Sequence, residues 1–82
     1  MMTYEMVQEA VRALGYDASM MVDDAERCLD VTLHDDDYDD AGAVDRFVEM
    51  LEDECLRECG DCYEYYYFSD FMVRVGYDSL DD

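Results

Sequence analysis

The chain contains no lysine, no proline and no tryptophan, and its five basic residues are all arginines. Arg12, Arg27, Arg46, Arg57 and Arg74 are spread almost evenly. No basic patch exists to grip a phosphate backbone, which excludes direct nucleic-acid binding. Also missing is any run approaching the ~20 apolar residues that a membrane-spanning helix requires. The opening Met1-Met2-Thr3-Tyr4-Glu5-Met6 carries neither a basic n-region nor an apolar h-region, so no signal peptide is expected. The expected location is cytoplasmic, with the four cysteines reduced.

What is present is acid. Twenty-four Asp and Glu residues oppose the five arginines, for a formal net charge of −19. Charge on this scale destabilises a compact state by self-repulsion. A small soluble domain needs a net charge of only about 2–8 in magnitude, so solubility alone does not explain it. The two explanations that remain are a basic partner and a salty solvent. Hydrophobic residues still make up 51% of the chain, enough to fold. Residues 1–82 are read as one acidic α+β domain. A chain this short buries only about 60% of its unfolded surface, which leaves little room for a deep catalytic cleft.

Local patterns divide the chain. Thr3 is a candidate N-cap, Val7, Val11 and Leu14 recur at helical spacing, and Gly15 sits where a C′ residue belongs, giving a helix over about 4–14. Met20-Met21-Val22 fits either a strand or one helical turn. Leu29, Val31 and Leu33 alternate with Cys28, Asp30 and Thr32, the period of a half-buried strand. A second helix is expected over about 41–59, with Val44, Phe47, Val48, Leu51, Cys55 and Cys59 on one face and Gly60 closing it. Beyond it, the run Tyr63 to Phe68, a Ser69-Asp70 turn and the alternation of Phe71, Val73 and Val75 read as a hairpin. The fold class is α+β, two helices packed on a small antiparallel sheet of three to four strands. The tail from Asp78 is expected to fray.

Three motifs suggest chemistry. Cys55-x3-Cys59-x2-Cys62 has the spacing of the cluster-binding triplet of radical enzymes that use S-adenosylmethionine, but such enzymes need a large barrel. With Cys28 as a fourth ligand a zinc or iron–sulfur site is conceivable, whereas core packing suits cysteines on an apolar stripe better. Asp35, Asp37 and Asp39 mimic the first ligands of a calcium loop, yet Asp40 replaces the turn glycine and Arg46 the terminal bidentate Glu. His34, the single histidine, is expected to be exposed and merely titrating. Neither a catalytic residue nor a metal or cofactor site is assigned. Of Tyr63, Tyr65, Tyr67 and their alternates, one set should pack the core and the other edge the surface.

The acids form three clusters: Asp23-Asp24; Asp35, Asp36, Asp37, Asp39 and Asp40; and a strip of Asp45, Glu49, Glu52 and Asp53 on the second helix. Like charges at 45/49 and 49/53 each cost about 0.2–0.5 kcal/mol, and the repetition of such costs is the argument for a functional surface. Carboxylates four residues apart rise about 6 Å along a helix, close to every second phosphate of a DNA strand at about 3.4 Å each. In size and acidity the chain resembles the inhibitors that phages carry against host defence, chiefly DNA-mimic anti-CRISPR proteins and, less closely, anti-restriction proteins. That resemblance implies a stoichiometric inhibitor that occupies the DNA-binding or PAM-reading groove of a CRISPR effector or another basic nucleic-acid-binding protein. The alternatives are a salt-adapted small domain, favoured by the absent lysine and by Asp outnumbering Glu two to one, and a small cysteine-based metal-binding module.

Overall fold

Thr3 starts the first helix by accepting the Met6 amide at 3.1 Å on its hydroxyl. Helix α1 runs Tyr4–Ala13, with Glu5 in its first turn and Arg12 in its last, each suited to the dipole. Tyr4, Val7 and Val11 are its buried face. Gly15 follows at φ 62, the left-handed position that ends a helix without Cβ strain. The computed structural model describes residues 2–34 and 38–77; the expected fraying of the tail lies outside them.

A short 3-10 turn at Gly15–Asp17 leads into strand β1, Ala18–Asp23, which pairs antiparallel with β2, Cys28–Leu33. The ambiguous Met20-Met21-Val22 run is therefore strand. Helix α2 spans Ala41–Glu54, and β3 (Leu56–Cys59), β4 (Tyr63–Tyr67) and β5 (Met72–Tyr77) complete the chain. The sheet order is β1-β2-β5-β4-β3. Two features correct the sequence-based expectation. The sheet has five strands, and it is mixed, because β5 lies parallel to β2 while every other pairing is antiparallel. Only a long crossover from β2 through α2 to the β4–β5 hairpin makes this parallel pair possible.

The second helix also ends sooner than the stripe of apolar positions implies. Cys55 is already extended, at φ −154 and ψ 170, and its thiol donates to the Leu51 carbonyl at 3.1 Å. Cys59 ends strand β3 and is exposed, and the Gly60 amide donates to the Tyr63 carbonyl at 2.8 Å, so Gly60 closes a strand turn and not a helix. The aromatic β4 needs an antiparallel neighbour, and residues 56–59 supply it.

Both helices cover one face of the sheet. On it Leu29, Val31, Leu33, Val73, Val75 and Tyr66 are fully buried against Val7, Val44, Phe47 and Leu51. The Ser69-Asp70 turn forms as expected, with the Phe68 amide donating to the Phe71 carbonyl at 2.9 Å. Phe68 and Phe71 stack with centroids 4.4 Å apart, and Phe71 meets the Tyr4 ring edge-on at 5.4 Å.

Candidate acidic interface and the open sheet face

Asp17 is the one buried carboxylate among the described residues, 2% exposed. Its Oδ1 accepts the Asp39 amide at 2.6 Å and its Oδ2 the Asp40 amide at 2.9 Å, while its own carbonyl accepts the His34 amide at 2.9 Å. This one side chain ties the start of β1 to the end of β2 and the entry of α2. Asp40 in turn caps α2, accepting the Ala43 amide at 3.1 Å on Oδ1. Hydrogen bonds of this kind explain why acid is concentrated at a helix start. Asp39 and Asp40 thus have structural duties alongside exposed carboxylates. Asp35, Asp36 and Asp37 lie outside the described residues. His34, expected to be exposed, is half-buried at the end of β2.

The first cluster is similarly engaged. Asp23 accepts the Glu26 amide at 3.2 Å and shapes the β1–β2 turn, where Arg27 takes a left-handed φ of 53. Asp24 accepts the Tyr4 hydroxyl at 3.1 Å, and burial, with help from that carboxylate, raises the Tyr4 phenol above its usual range. Arg27 stacks over the Tyr4 ring at 4.5 Å and bonds Asp70 at 3.1 Å.

On α2, Asp45, Glu49, Glu52 and Asp53 are all exposed and lie away from Val44, Phe47 and Leu51. Glu52 bonds Arg57 at 3.2 Å, and Arg57 also pairs with Glu64. Among the described residues no ion pair holds Asp45, Glu49 or Asp53, although Arg46 stands beside them in a shallow cleft that Glu49 and Asp53 help to line. The strip therefore narrows to three carboxylates spanning about 12 Å of helix axis. By strand register, the C-terminal end of α2 and the β1–β2 turn lie at the same end of the sheet. They flank opposite edges, four strand spacings or about 19 Å apart. The first cluster and the C-terminal end of the α2 strip are therefore separate surfaces, whereas Asp40, as the cap of α2, adjoins the start of the strip.

The other face of the sheet carries the surface-edging tyrosine set expected from the sequence. Along β4, Tyr63, Tyr65 and Tyr67 point away from the helices, and neither helix covers them; Tyr63 is 37% and Tyr67 43% exposed. The three rings form a ladder with centroid spacings of 6.4 Å, Tyr65 and Tyr67 lying within 20° of parallel. Gly76 faces Tyr63 across the β4–β5 pairing, and a Cβ there would come within 2.8 Å of the ring, so glycine lets Tyr63 lie down on the sheet. Over that ring, 4.5 Å from its centroid, lies the Arg74 guanidinium, which is bonded to Asp30 on the neighbouring strand. The hydrogen bond and charge of Asp30 raise the Arg74 pKa despite some desolvation.

At the end of this face toward the β1–β2 turn is an open basin of about 750 Å³, walled by Met21, Asp23, Glu26, Cys28, Tyr67 and Met72, with the Arg74–Asp30 pair also in its lining. Burial pushes the Cys28 thiol above its ordinary range, which disfavours the nucleophilic thiolate. Cys55 is raised for the same reason. The alternation of Tyr63, Tyr65 and Tyr67 with buried Tyr66 was the available signal for this surface. That signal separates the two tyrosine sets, but that the whole face stays open depends on both helices lying on one side, which spacing does not give.

The four cysteines are free, and Cys59 and Cys62 are exposed. Among the described residues no three or more His, Cys, Asp or Glu are grouped as metal ligands, so the geometry gives the cysteine-based metal module no support. Among the same residues no helix is long and apolar enough to cross a membrane. Comparison of the chain with protein-family models, with curated proteins and with solved structures finds no match.

Proposed function

We propose that the protein is a stoichiometric inhibitor that lays the outer side of α2 in a basic nucleic-acid-binding groove. The groove is of the kind presented by a CRISPR effector or another host-defence nuclease complex. One observation carries this reading. Asp45, Glu49 and Asp53 stand in a row on the solvent side of α2, at spacings of about 6 Å, without an arginine bonded to any of them among the described residues. Two steps of a DNA strand rise about 6.8 Å, so lysines and arginines placed for phosphates meet carboxylates here. The long-range field of a −19 chain steers such an encounter and makes it salt-sensitive.

The test is capture from host lysate at low salt, followed by competition with duplex DNA. A captured nucleic-acid-handling protein that DNA displaces supports the reading; capture of none at low salt contradicts it. Reversal of Asp45, Glu49 and Asp53 to Lys should abolish capture while circular dichroism stays unchanged.

A second reading, salt adaptation of an ordinary domain, is favoured by a different observation. Exposed acids also occupy α1 (Glu5, Glu9), the β1–β2 turn (Asp24, Glu26) and the β3–β4 region (Glu58, Asp61), so charge surrounds the molecule. Under this reading, folding itself requires molar salt.

A further inference from the structure

We infer that the basin on the open sheet face is a receiving site for an arginine side chain from a basic protein segment. The inference rests on the proposed function only in taking the partner to be a basic protein, and it assigns a contact surface that α2 does not supply. Three features argue for this occupant.

The first is chemistry already displayed by the chain. Two of its own arginines lie on tyrosine rings at 4.5 Å, Arg74 on Tyr63 and Arg27 on Tyr4, each with a carboxylate bonded to the same guanidinium. The basin repeats these components around a second ring: Arg74 and Asp30 are part of its lining, but Arg74 lies over Tyr63, and among the described residues no arginine stacks on Tyr67. It has the partly exposed Tyr67 ring on one wall and the carboxylates of Asp23 and Glu26 on the rim. Asp30 is already neutralised by Arg74, so the rim acids are the ones left to meet an incoming charge.

The second feature is the apolar wall. Met21 is 74% exposed and lies across the basin from Met72 and Tyr67, a lining suited to the methylene stem of a long cationic side chain. A flexible thioether wall beside a rigid aromatic is also the composition of an interface centre, with charges at its rim.

The third is what the charge forbids. A second copy of this chain would bring another −19 to the face, nucleic acid would bring phosphates, and an anionic membrane would do the same. A basic protein segment is the occupant whose charge matches. Guanidinium is preferred to ammonium because it stacks on a ring and forks to two carboxylates at once.

The experiment is a titration of the isotope-labelled full chain with a capped Gly-Arg-Gly-Arg-Gly peptide, followed by amide chemical shifts, with the lysine analogue as comparison. The inference predicts shifts centred on Met21, Cys28, Tyr67 and Met72, and tighter binding of the arginine peptide. Tyr67→Ala should weaken binding about 3- to 30-fold while the domain stays folded at the titration temperature, and Tyr67→Phe should largely retain it. Shifts centred on α2, or spread evenly over every acidic segment, would overturn the inference. So would basin shifts that depend on the concentration of the chain itself, which would mark self-association. The triple reversal of Asp45, Glu49 and Asp53 separates the two claims. If it abolishes lysate capture but leaves the peptide in the basin, both stand; if capture survives reversal while the peptide still maps to the basin, only the α2 reading falls.

Discussion

The two faces of the sheet are made from alternate residues of the same strands and have opposite characters. Toward the helices, Leu29, Val31, Tyr66, Val73 and Val75 are fully buried. Away from them, one residue along in each strand, stand Asp30, Arg74, Tyr65 and Tyr67, joined by an ion pair and ring stacking instead of by close packing. The covered face holds the fold together by removing apolar surface from water, at roughly 25 cal/mol per Å². The open face contributes little to that and is left with aromatic and thioether surface to offer. Burial on one side therefore provides the stability that lets the other side remain unsatisfied.

The comparison breaks most easily at Tyr66. Tyr66→Ala should destabilise the domain by about 3–5 kcal/mol, because a large ring is lost from a filled core, and denaturant unfolding will measure it. Tyr66→Phe should change stability by less than about 1 kcal/mol, since the buried hydroxyl has no hydrogen-bond partner to lose. A large loss in Tyr66→Phe would mean that the hydroxyl, not the ring, carries the position.

Asp17 comes next. Asp17→Ala removes the acceptor for two amides that fix the start of α2 over the covered face. The expected loss is about 2–3 kcal/mol, with the same urea experiment as readout. A loss below half of that would show that α2 is held by its apolar contacts alone.

Alkaline pH should also act through the covered side. Burial raises the Tyr77 phenol to about 12, with Glu64 adding to the shift, and burial raises Tyr66 as well. A phenol with a folded pKa above its unfolded value of about 10 stabilises the fold fully below pH 10. That contribution is lost as pH rises from about 10 to about 12, because the unfolded chain releases its protons first. Denaturant midpoints should therefore fall across this window, and Tyr77→Phe should flatten the fall. An unchanged midpoint in the wild type would contradict the assignment.

The smallest effect on stability is expected on the open face. Tyr65→Ser or Tyr67→Ala should cost less than about 1 kcal/mol, the scale of a cross-strand pair. A loss as large as that at Tyr66 would show that the ladder is a second core and not an exposed surface.

Much of the fold was legible because local chemistry and tertiary structure agree. Thr3, Gly15 and the Val7-Val11-Leu14 spacing mark α1 without ambiguity, and the Ser69-Asp70 turn sits between two alternating runs. The C-terminal end of α2 was not legible. Cys55 and Cys59 keep helical spacing with Leu51, but residues 56–59 are drawn into extended pairing with Tyr63–Tyr67, a nonlocal partner that overrides the local pattern. The parallel pairing of β2 with β5 is invisible for a similar reason, since 44 residues separate Asp30 from Arg74. Of the candidate acids, the α2 row was correctly placed on the solvent side by periodicity. The engagement of Asp40 in a cap, of Asp24 with Tyr4 and of Glu52 with Arg57 depended on contacts that sequence spacing alone did not identify.

The central claim is that the acid on this surface recognises a partner and is not a requirement of the solvent. Thermal melting of the purified chain as a function of KCl tests it most directly, because the five arginines offset only five of the 24 acidic charges. The account predicts a cooperative transition at about 0.1 M salt, where the Debye length is about 10 Å, with only a modest rise as further salt screens the surface. A chain that stays unfolded until KCl reaches molar concentration would contradict it.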